Sequence, residues 1–257
     1  MKEVLIIPDC HATPEHNNDR MEWAGKFALH RKPDLIIDLG DRASMHSLSS
    51  YDVGKVQAEG RRYGDDIASA IDATQRFNKP IDDYNKKRGV WKKKKYNPKK
   101  VICLGNHEHR IIRASEEDPR LHGHLSIDDL QYEEYGWEVI PFLDPYEYEG
   151  IVFKHYFTSG IMGRPIGGEN HAASLVKKNF TSCVVGHSHM RSFWETTNAL
   201  GRNIFGLCTG CYFDYDEHYT KENNRFWRGL IYLHDVEMGQ AEPEFLHIDY
   251  LRRRYDS

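Results

Sequence analysis

The chain has 257 residues, a net charge of −4 and 15 histidines. That length carries one domain with a sizeable core. The mild charge excludes a surface that attracts nucleic acid as a whole, and no apolar run comes near the ~20 residues of a membrane span.

The N-terminus enters an apolar run, Val4-Leu5-Ile6-Ile7, with no signal-peptide pattern, and the five cysteines form no disulfide framework. A protein without membrane attachment in a reducing cytoplasm is expected. Pro8 ends this first buried strand, and Asp9-Cys10-His11 follows. A carboxylate and an imidazole two residues apart on one loop suit a transition metal. They also suit a helix cap beside a solvated His. Thr13 reads as an N-cap with Pro14 at the first helical position, and Trp23, Ala24, Phe27 and Ala28 give an apolar face to about His30.

Leu35-Ile36-Ile37 is the second strand, ending in Asp38-Leu39-Gly40-Asp41. Asp38 still lies in the strand and reads as structural; Asp41 is a second strand-end carboxylate. A long insertion follows. Ile67, Ile71, Thr74, Phe77, Ile81 and Tyr84 recur at spacings of three and four, predicting a helix or helix pair with Pro80 at a kink or restart. Beyond it, Lys86-Lys87-Arg88 and Lys92-Lys93-Lys94-Lys95 alternate with Trp91 and Tyr96. Interleaved cations and aromatics fit nucleic acid. A solvated helix end explains them more cheaply.

Val101-Ile102-Cys103-Leu104 is a third strand, broken by Gly105, so that Asn106 and His107 stand on the loop beyond it. Ile151-Val152-Phe153 runs into Lys154-His155, and Ser182-Cys183-Val184-Val185 into Gly186-His187-Ser188-His189. Both imidazoles of that last pair can face one site if the backbone is extended. Ser159–Gly168 is a Gly-rich loop carrying Arg164, without P-loop spacing, and reads as a site rim. Cys208-Thr-Gly-Cys211 reads as packing.

Asp9, His11, Asp41, Asn106, His155, His187 and His189 are together more ligands than one four- or five-coordinate ion needs. They fit two ions that share a carboxylate, an arrangement suited to displacement at phosphorus. In parallel α/β sheets, sites gather at the carboxyl ends of strands.

Asp9-x-His11, Gly40-Asp41, Gly105-Asn106-His107-Glu108, His155 and Gly186-His187-x-His189, in this order, resemble the calcineurin-like metallophosphoesterase superfamily, in particular its compact bacterial and bacteriophage members. The resemblance implies an α/β fold of two mixed β-sheets packed as a sandwich and flanked by helices. Residues 1–257 would form one domain, with 43–98 as a helical insertion or cap. It implies two divalent cations, with Mn expected and Fe, Zn or Ni compatible. Asp9, His11 and His189 would hold the first, Asn106, His155 and His187 the second, and Asp41 would bridge. His155 is preferred to His171 for its strand-end position. A hydroxide bridging the ions would attack phosphorus, His107 would protonate the leaving oxygen, and Glu108 would support the ligands, orienting a His. The implied activity is hydrolysis of a phosphoester, and the basic run Lys92–Lys95, as a nucleic-acid contact, turns the expectation to a phosphodiester in nucleic acid or a nucleotide. A phosphomonoesterase acting on small molecules or proteins, or a metal-binding scaffold without turnover, are the alternatives. The protein phosphatase branch continues Gly-Asp-x-x-Asp-Arg-Gly, whereas Gly40-Asp41 here runs into Arg42-Ala43-Ser44-Met45-His46. The purple acid phosphatase branch needs a metal-binding Tyr near this block, which Arg42 and Ala43 do not provide. Arg42, His46, Arg110 and Arg164 are the expected phosphate contacts.

Overall fold

The computed structural model describes residues 1–217 and 225–256. Thirteen strands are named: β1 (Lys2–Ile7), β2 (Leu35–Asp38), β3 (Lys99–Cys103), β4 (Glu138–Ile140), β5 (Tyr146–Tyr148), β6 (Ile151–Lys154), β7 (Thr158–Ser159), β8 (Arg164–Pro165), β9 (Ser182–Val185), β10 (Arg191–Thr197), β11 (Asn203–Thr209), β12 (Gly229–Glu237) and β13 (Gln240–His247). The helices are α1 (Asp19–Arg31), α2 (Tyr63–Val90), α3 (His109–Glu117), α4 (His171–Asn179) and α5 (Ile248–Tyr255).

Six strands form one mixed sheet in the order β13-β12-β1-β2-β3-β4, and five form a second in the order β10-β11-β9-β6-β5. In the first, β1 to β4 run parallel, β12 is antiparallel to β1, and β13 is antiparallel to β12. In the second, β6, β9 and β11 are parallel, with antiparallel neighbours at both edges. Alternation along β1 sorts its side chains onto two faces. Val4 and Ile6 pack with Phe153, Val184 and Leu207 between the sheets. Leu5 and Ile7 pack with Phe27 and Phe77 beneath α1 and α2. On the far side, Cys183, Val185 and Cys208 bury Ala172 and Leu175 of α4. The layers are thus helix, sheet, sheet, helix, the architecture that the resemblance implies. Fully burying one side chain such as Phe153 contributes about 2 kcal/mol.

Local expectations differ from the structure in two helices. The first helix begins at Asp19, not Pro14, because Arg20 is drawn down to donate from Nε to the Tyr212 carbonyl (3.0 Å) and from Nη2 to that of Cys10 (2.7 Å). The second is one uninterrupted 28-residue helix with Pro80 inside it. Ala70, Ala73, Phe77 and Ile81 are buried along its inner face, so packing carries it past the proline. Within residues 43–98, α2 is a wall of the core, and a short segment near Ser49 borders the pocket described below. All five cysteines are buried free thiols, Cys208 and Cys211 included.

Candidate metal centre

Five parallel strands of two sheets end at one place. Asp9 and His11 follow β1, Asp41 follows β2, Asn106 follows β3, His155 follows β6, and His187 and His189 follow β9. The loops lie side by side, His11 N–H donating to the Asp41 carbonyl (2.9 Å) and Ala12 N–H to that of Arg42 (2.7 Å). Four ligand-type residues take left-handed backbone: His11 (φ 44°), Asp41 (50°), His187 (66°) and His189 (55°). Such conformations are unfavourable for residues with side chains, and they persist where the surroundings over-determine them. The His187–His189 pair is therefore not extended, as the sequence suggested. A tight turn, with Ser188 N–H on the Gly186 carbonyl (2.8 Å), sends the two imidazoles to different partners.

His189 joins Asp9 and His11, with Nε2 3.2 Å from Asp9 Oδ2 and 3.1 Å from His11 Nε2. His187 joins Asp41 and His155, whose Nε2 stands 3.3 Å from Asp41 Oδ2 and 3.0 Å from Asn106 Oδ1. Asp41 Oδ2 is also 3.9 Å from His11 Nε2, so this carboxylate lies between the two sets. These buried clusters can hold metal ions, and the structure has features that a cation fits. Asp9 Oδ1 is buried without a hydrogen-bond partner. A Cβ on Gly186 would stand 2.2 Å from Asp9 Oδ1, and one on Gly105 2.1 Å from Asp41 Oδ1, so each carboxylate leans into space that only glycine leaves. His107 also falls within reach of His11 and Asp41. Its Nδ1–H donates to the Ser44 carbonyl (2.7 Å), and its Nε2, 3.9 Å from Asp41 Oδ2, accepts from Arg110 Nη2 (3.2 Å).

The charges follow from burial and proximity. Burial, with His107 and His189 alongside, holds the His11 imidazole well below its ordinary value. Burial and His155 hold His187 down at about 4. Metal binding requires such neutral imidazoles. Burial alone would lower His155, but the Asp41 carboxylate outweighs it and raises it to about 10. Asp41 is correspondingly well below the usual carboxylate range despite its burial, chiefly through His155 and His107. His155 Nδ1–H donates to the Leu39 carbonyl (2.7 Å), which turns Nε2 to the site. Glu108 orients no histidine. It is fully buried, and its carboxylate accepts from the backbone N–H groups of Asp41 (2.9 Å), Gly105 (2.9 Å) and Ala43 (2.8 Å). Burial and the Asp41 charge push it up to about 7.

Above these side chains opens a cavity of ≈610 Å³, lined by Asp41, Asn106, His107, His187 and His189 on its floor and by His46, Ser49, Tyr51, Lys55, Arg110 and Phe226 on its walls. His46 and Arg110 thus stand where phosphate contacts were expected. Arg42 does not. It is wholly buried, pairs with Asp38 (2.9 Å) and lies 3.9 Å from the centre of a Trp137 ring, so it supports the turn from beneath. Arg164 is exposed on β8 and does not line the cavity. His171 is buried on α4 and belongs to none of the ligand clusters. Lys92–Lys95 follow the far end of α2. Its first turn holds the segment that lines the pocket, Asp66 accepting from Ser47 N–H (2.8 Å), and from there to Trp91 the helix rises about 35–40 Å.

Two residues of the site left no trace in the sequence. Glu217, buried 4.0 Å from His11 Nδ1, and Arg20, beneath the Asp9–His11 loop, lie in no motif.

No family model matches the chain, and no curated protein matches it. Among solved structures, a conserved uncharacterized protein, a predicted phosphoesterase, from Streptococcus pneumoniae TIGR4 is similar at 11% identity and a TM-score of 0.37, over 96% of this chain and 90% of that one. A second is similar at 11% identity and a TM-score of 0.35, over 95% and 99%. Likenesses at this level bear on neither ligands nor substrate.

Proposed function

We propose that the protein is a metal-dependent phosphoesterase with a two-cation centre, cleaving a phosphodiester of a nucleotide or nucleic acid. The carrying observation is the convergence of seven ligand-type side chains on two sets that meet at Asp41 under an open cavity. Asp9, His11 and His189 hold one cation, Asn106, His155 and His187 the other, and Asp41 both. Imidazole, carboxylate and amide donors suit Mn, and also Fe, Zn or Ni. When bound, the cations supply Lewis-acid activation of water and neutralise charge on the phosphoryl oxygens.

The chain's own residues do the rest. The four positive-φ residues and the Glu108 clamp fix the ligands before substrate arrives, which removes the cost of ordering them during reaction. His107 and Arg110 face the cavity beside the ligands, and this corner receives the leaving oxygen. His46 and Lys55 line the same walls and offer further contacts to an anionic substrate. The cavity's volume leaves room for organic groups on both sides of a phosphate, which supports a diester. The buried free thiols fit a reducing cytoplasm. Among the described residues no helix is long and apolar enough to cross a membrane. Contact of Lys92–Lys95 with nucleic acid requires a polymer long enough to reach from the cavity to the far end of α2.

The test is a paired assay on metal-stripped protein reloaded with Mn²⁺, using p-nitrophenyl phosphate and bis-p-nitrophenyl phosphate, with Asp41→Asn as control. Preference for the diester, together with loss of both metals in the control, is expected. Preference for the monoester makes the protein a phosphatase. Two bound metals without turnover of either ester make it a scaffold. Unchanged metal content in Asp41→Asn refutes the shared carboxylate.

A further inference from the structure

One corner of the cavity floor has a fixed hydrogen-bond order. The His107 Nδ1 neighbour is the Ser44 carbonyl, at 2.7 Å. A carbonyl only accepts, so the ring proton is on Nδ1. The Nε2 neighbour is Arg110 Nη2, at 3.2 Å. A guanidinium only donates, so Nε2 accepts from it, and Asp41 Oδ2 stands farther off at 3.9 Å. Arg110 is anchored a second time, Nη1 donating to the carbonyls of Ser44 (3.0 Å) and Met45 (3.3 Å). Both side chains are more than nine-tenths buried, and both line the cavity. The cationic side chain presented at this corner, next to Asp41 and Asn106, is the guanidinium.

We propose that Arg110 is a catalytic residue that meets the leaving oxygen, and that His107 is the positioning residue that aims it; this rests on the phosphoester cleavage put forward above. In that cleavage a water oxygen bonds to phosphorus as the bond from phosphorus to the leaving oxygen breaks. The electron pair of the broken bond stays on the leaving oxygen. Arg110 stabilises the negative charge there and keeps all its protons. The attacking water loses one proton to solvent, and the leaving oxygen takes one from solvent. His107 Nε2 and the two carbonyls hold the guanidinium in one orientation, so no reorganisation accompanies the charge as it forms.

The experiment compares Mn²⁺-loaded wild type, Arg110→Met, Arg110→Ala, Arg110→Lys, His107→Ala and the Arg110→Met/His107→Ala pair on two aryl phosphodiesters. One releases p-nitrophenol and the other the more basic phenol. Metal content and thermal unfolding are measured on each protein. Loss of a donor to a developing oxyanion costs about a hundredfold or more in kcat. Arg110→Met is expected to lose that much on the phenyl ester and several-fold less on the nitrophenyl ester, whose leaving group needs less help. Arg110→Lys recovers part of the loss, and added guanidinium ion at millimolar level recovers part of it in Arg110→Ala. The double variant falls no further than Arg110→Met. An equal loss on both esters, or a change in KM alone, overturns the role at the leaving oxygen. So does a leaving-group dependence carried by His107→Ala and absent from Arg110→Met. If wild type turns over neither ester, the phosphoesterase reading itself fails and takes this one with it.

Discussion

Glu108 offers the sharpest perturbation, because one buried side chain holds two of the loops that form the centre. Its Oε2 takes the N–H groups of Asp41 and Gly105, and its Oε1 takes that of Ala43. In Glu108→Ala these three buried N–H donors lose their acceptor, and the buried Tyr132 hydroxyl loses a longer bond to Oε1 (3.4 Å). At about 1–3 kcal/mol for each unsatisfied group, and with some recovery by entering water, the loss is about 4 kcal/mol. For a chain of this size that lowers Tm by roughly 8–16 °C. In Glu108→Gln one carbonyl oxygen survives and can keep the Asp41 and Gly105 donors, while the new NH₂ faces Ala43 N–H. That variant is expected to lose about half as much. Because the Asp41 backbone then shifts, both variants should also bind Mn²⁺ more weakly, by at least about tenfold for Ala. Calorimetry on the stripped protein gives the first quantity, and metal titration followed by elemental analysis gives the second. A Glu108→Ala protein that melts within a degree or two of wild type and keeps its metals would show that the clamp does not hold the loops.

Gly186→Ala should fold but lose the set around Asp9. The new Cβ stands 2.2 Å from Asp9 Oδ1, so the carboxylate must turn away; about a tenfold fall in metal affinity is expected by titration, and none would mean that Asp9 has other room. His46 gives a pH signature. Burial, with Arg61 and Arg110 nearby, lowers it from 6.5 to about 4, so between these values the unfolded chain binds a proton that the folded protein refuses. Stability attributable to His46 is therefore present above pH 6.5 and lost as pH falls towards 4, by at most about 3 kcal/mol. Urea unfolding of His46→Gln beside wild type at pH 7, 5.5 and 4.5 should show the gap closing or reversing as pH falls; a constant gap refutes it. Replacing Lys92 to Lys95 with Ala should leave hydrolysis of bis-p-nitrophenyl phosphate untouched. If the segment binds single-stranded DNA, the slope of log affinity against log salt falls by up to about 3. An unchanged slope makes the segment a solvated helix end.

The convergence of ligand-type side chains was legible because it is local in the sequence. Each parallel strand is an apolar run closed by a breaker, and a His, Asp or Asn within a few residues of the breaker lies at the carboxyl edge of its sheet. Asp9, Asp41, Asn106 and His187 follow that rule, and His155 directly follows its strand without a breaker. The layers were legible from the family resemblance carried by the same residues. What escaped is what long-range contacts decide. Arg42 looked like an anion contact, yet Asp38 four residues earlier and the Trp137 ring draw it into the core. Arg20 moves the start of α1 because the Cys10 and Tyr212 carbonyls need a donor, and Tyr212 is 192 residues away. The left-handed turns at His187 and His189 replace the extended backbone that their spacing suggested, since each imidazole answers to a different carboxylate. Glu217 approaches His11 from the other end of the chain.

The outer wall of the cavity is hung from α2, not from the sheets. Arg61 holds Asp52 (2.7 Å), and Asp66 holds Ser47 N–H, both just before or within the first turn of the helix. Between those two moorings Tyr51, Val53 and Val56 are exposed. The stretch between them can be exchanged, lengthened or shortened without moving a single ligand-bearing strand end. On the function proposed above, a loop library grafted between Ser47 and Arg61 would change what the cavity admits and leave its floor in place.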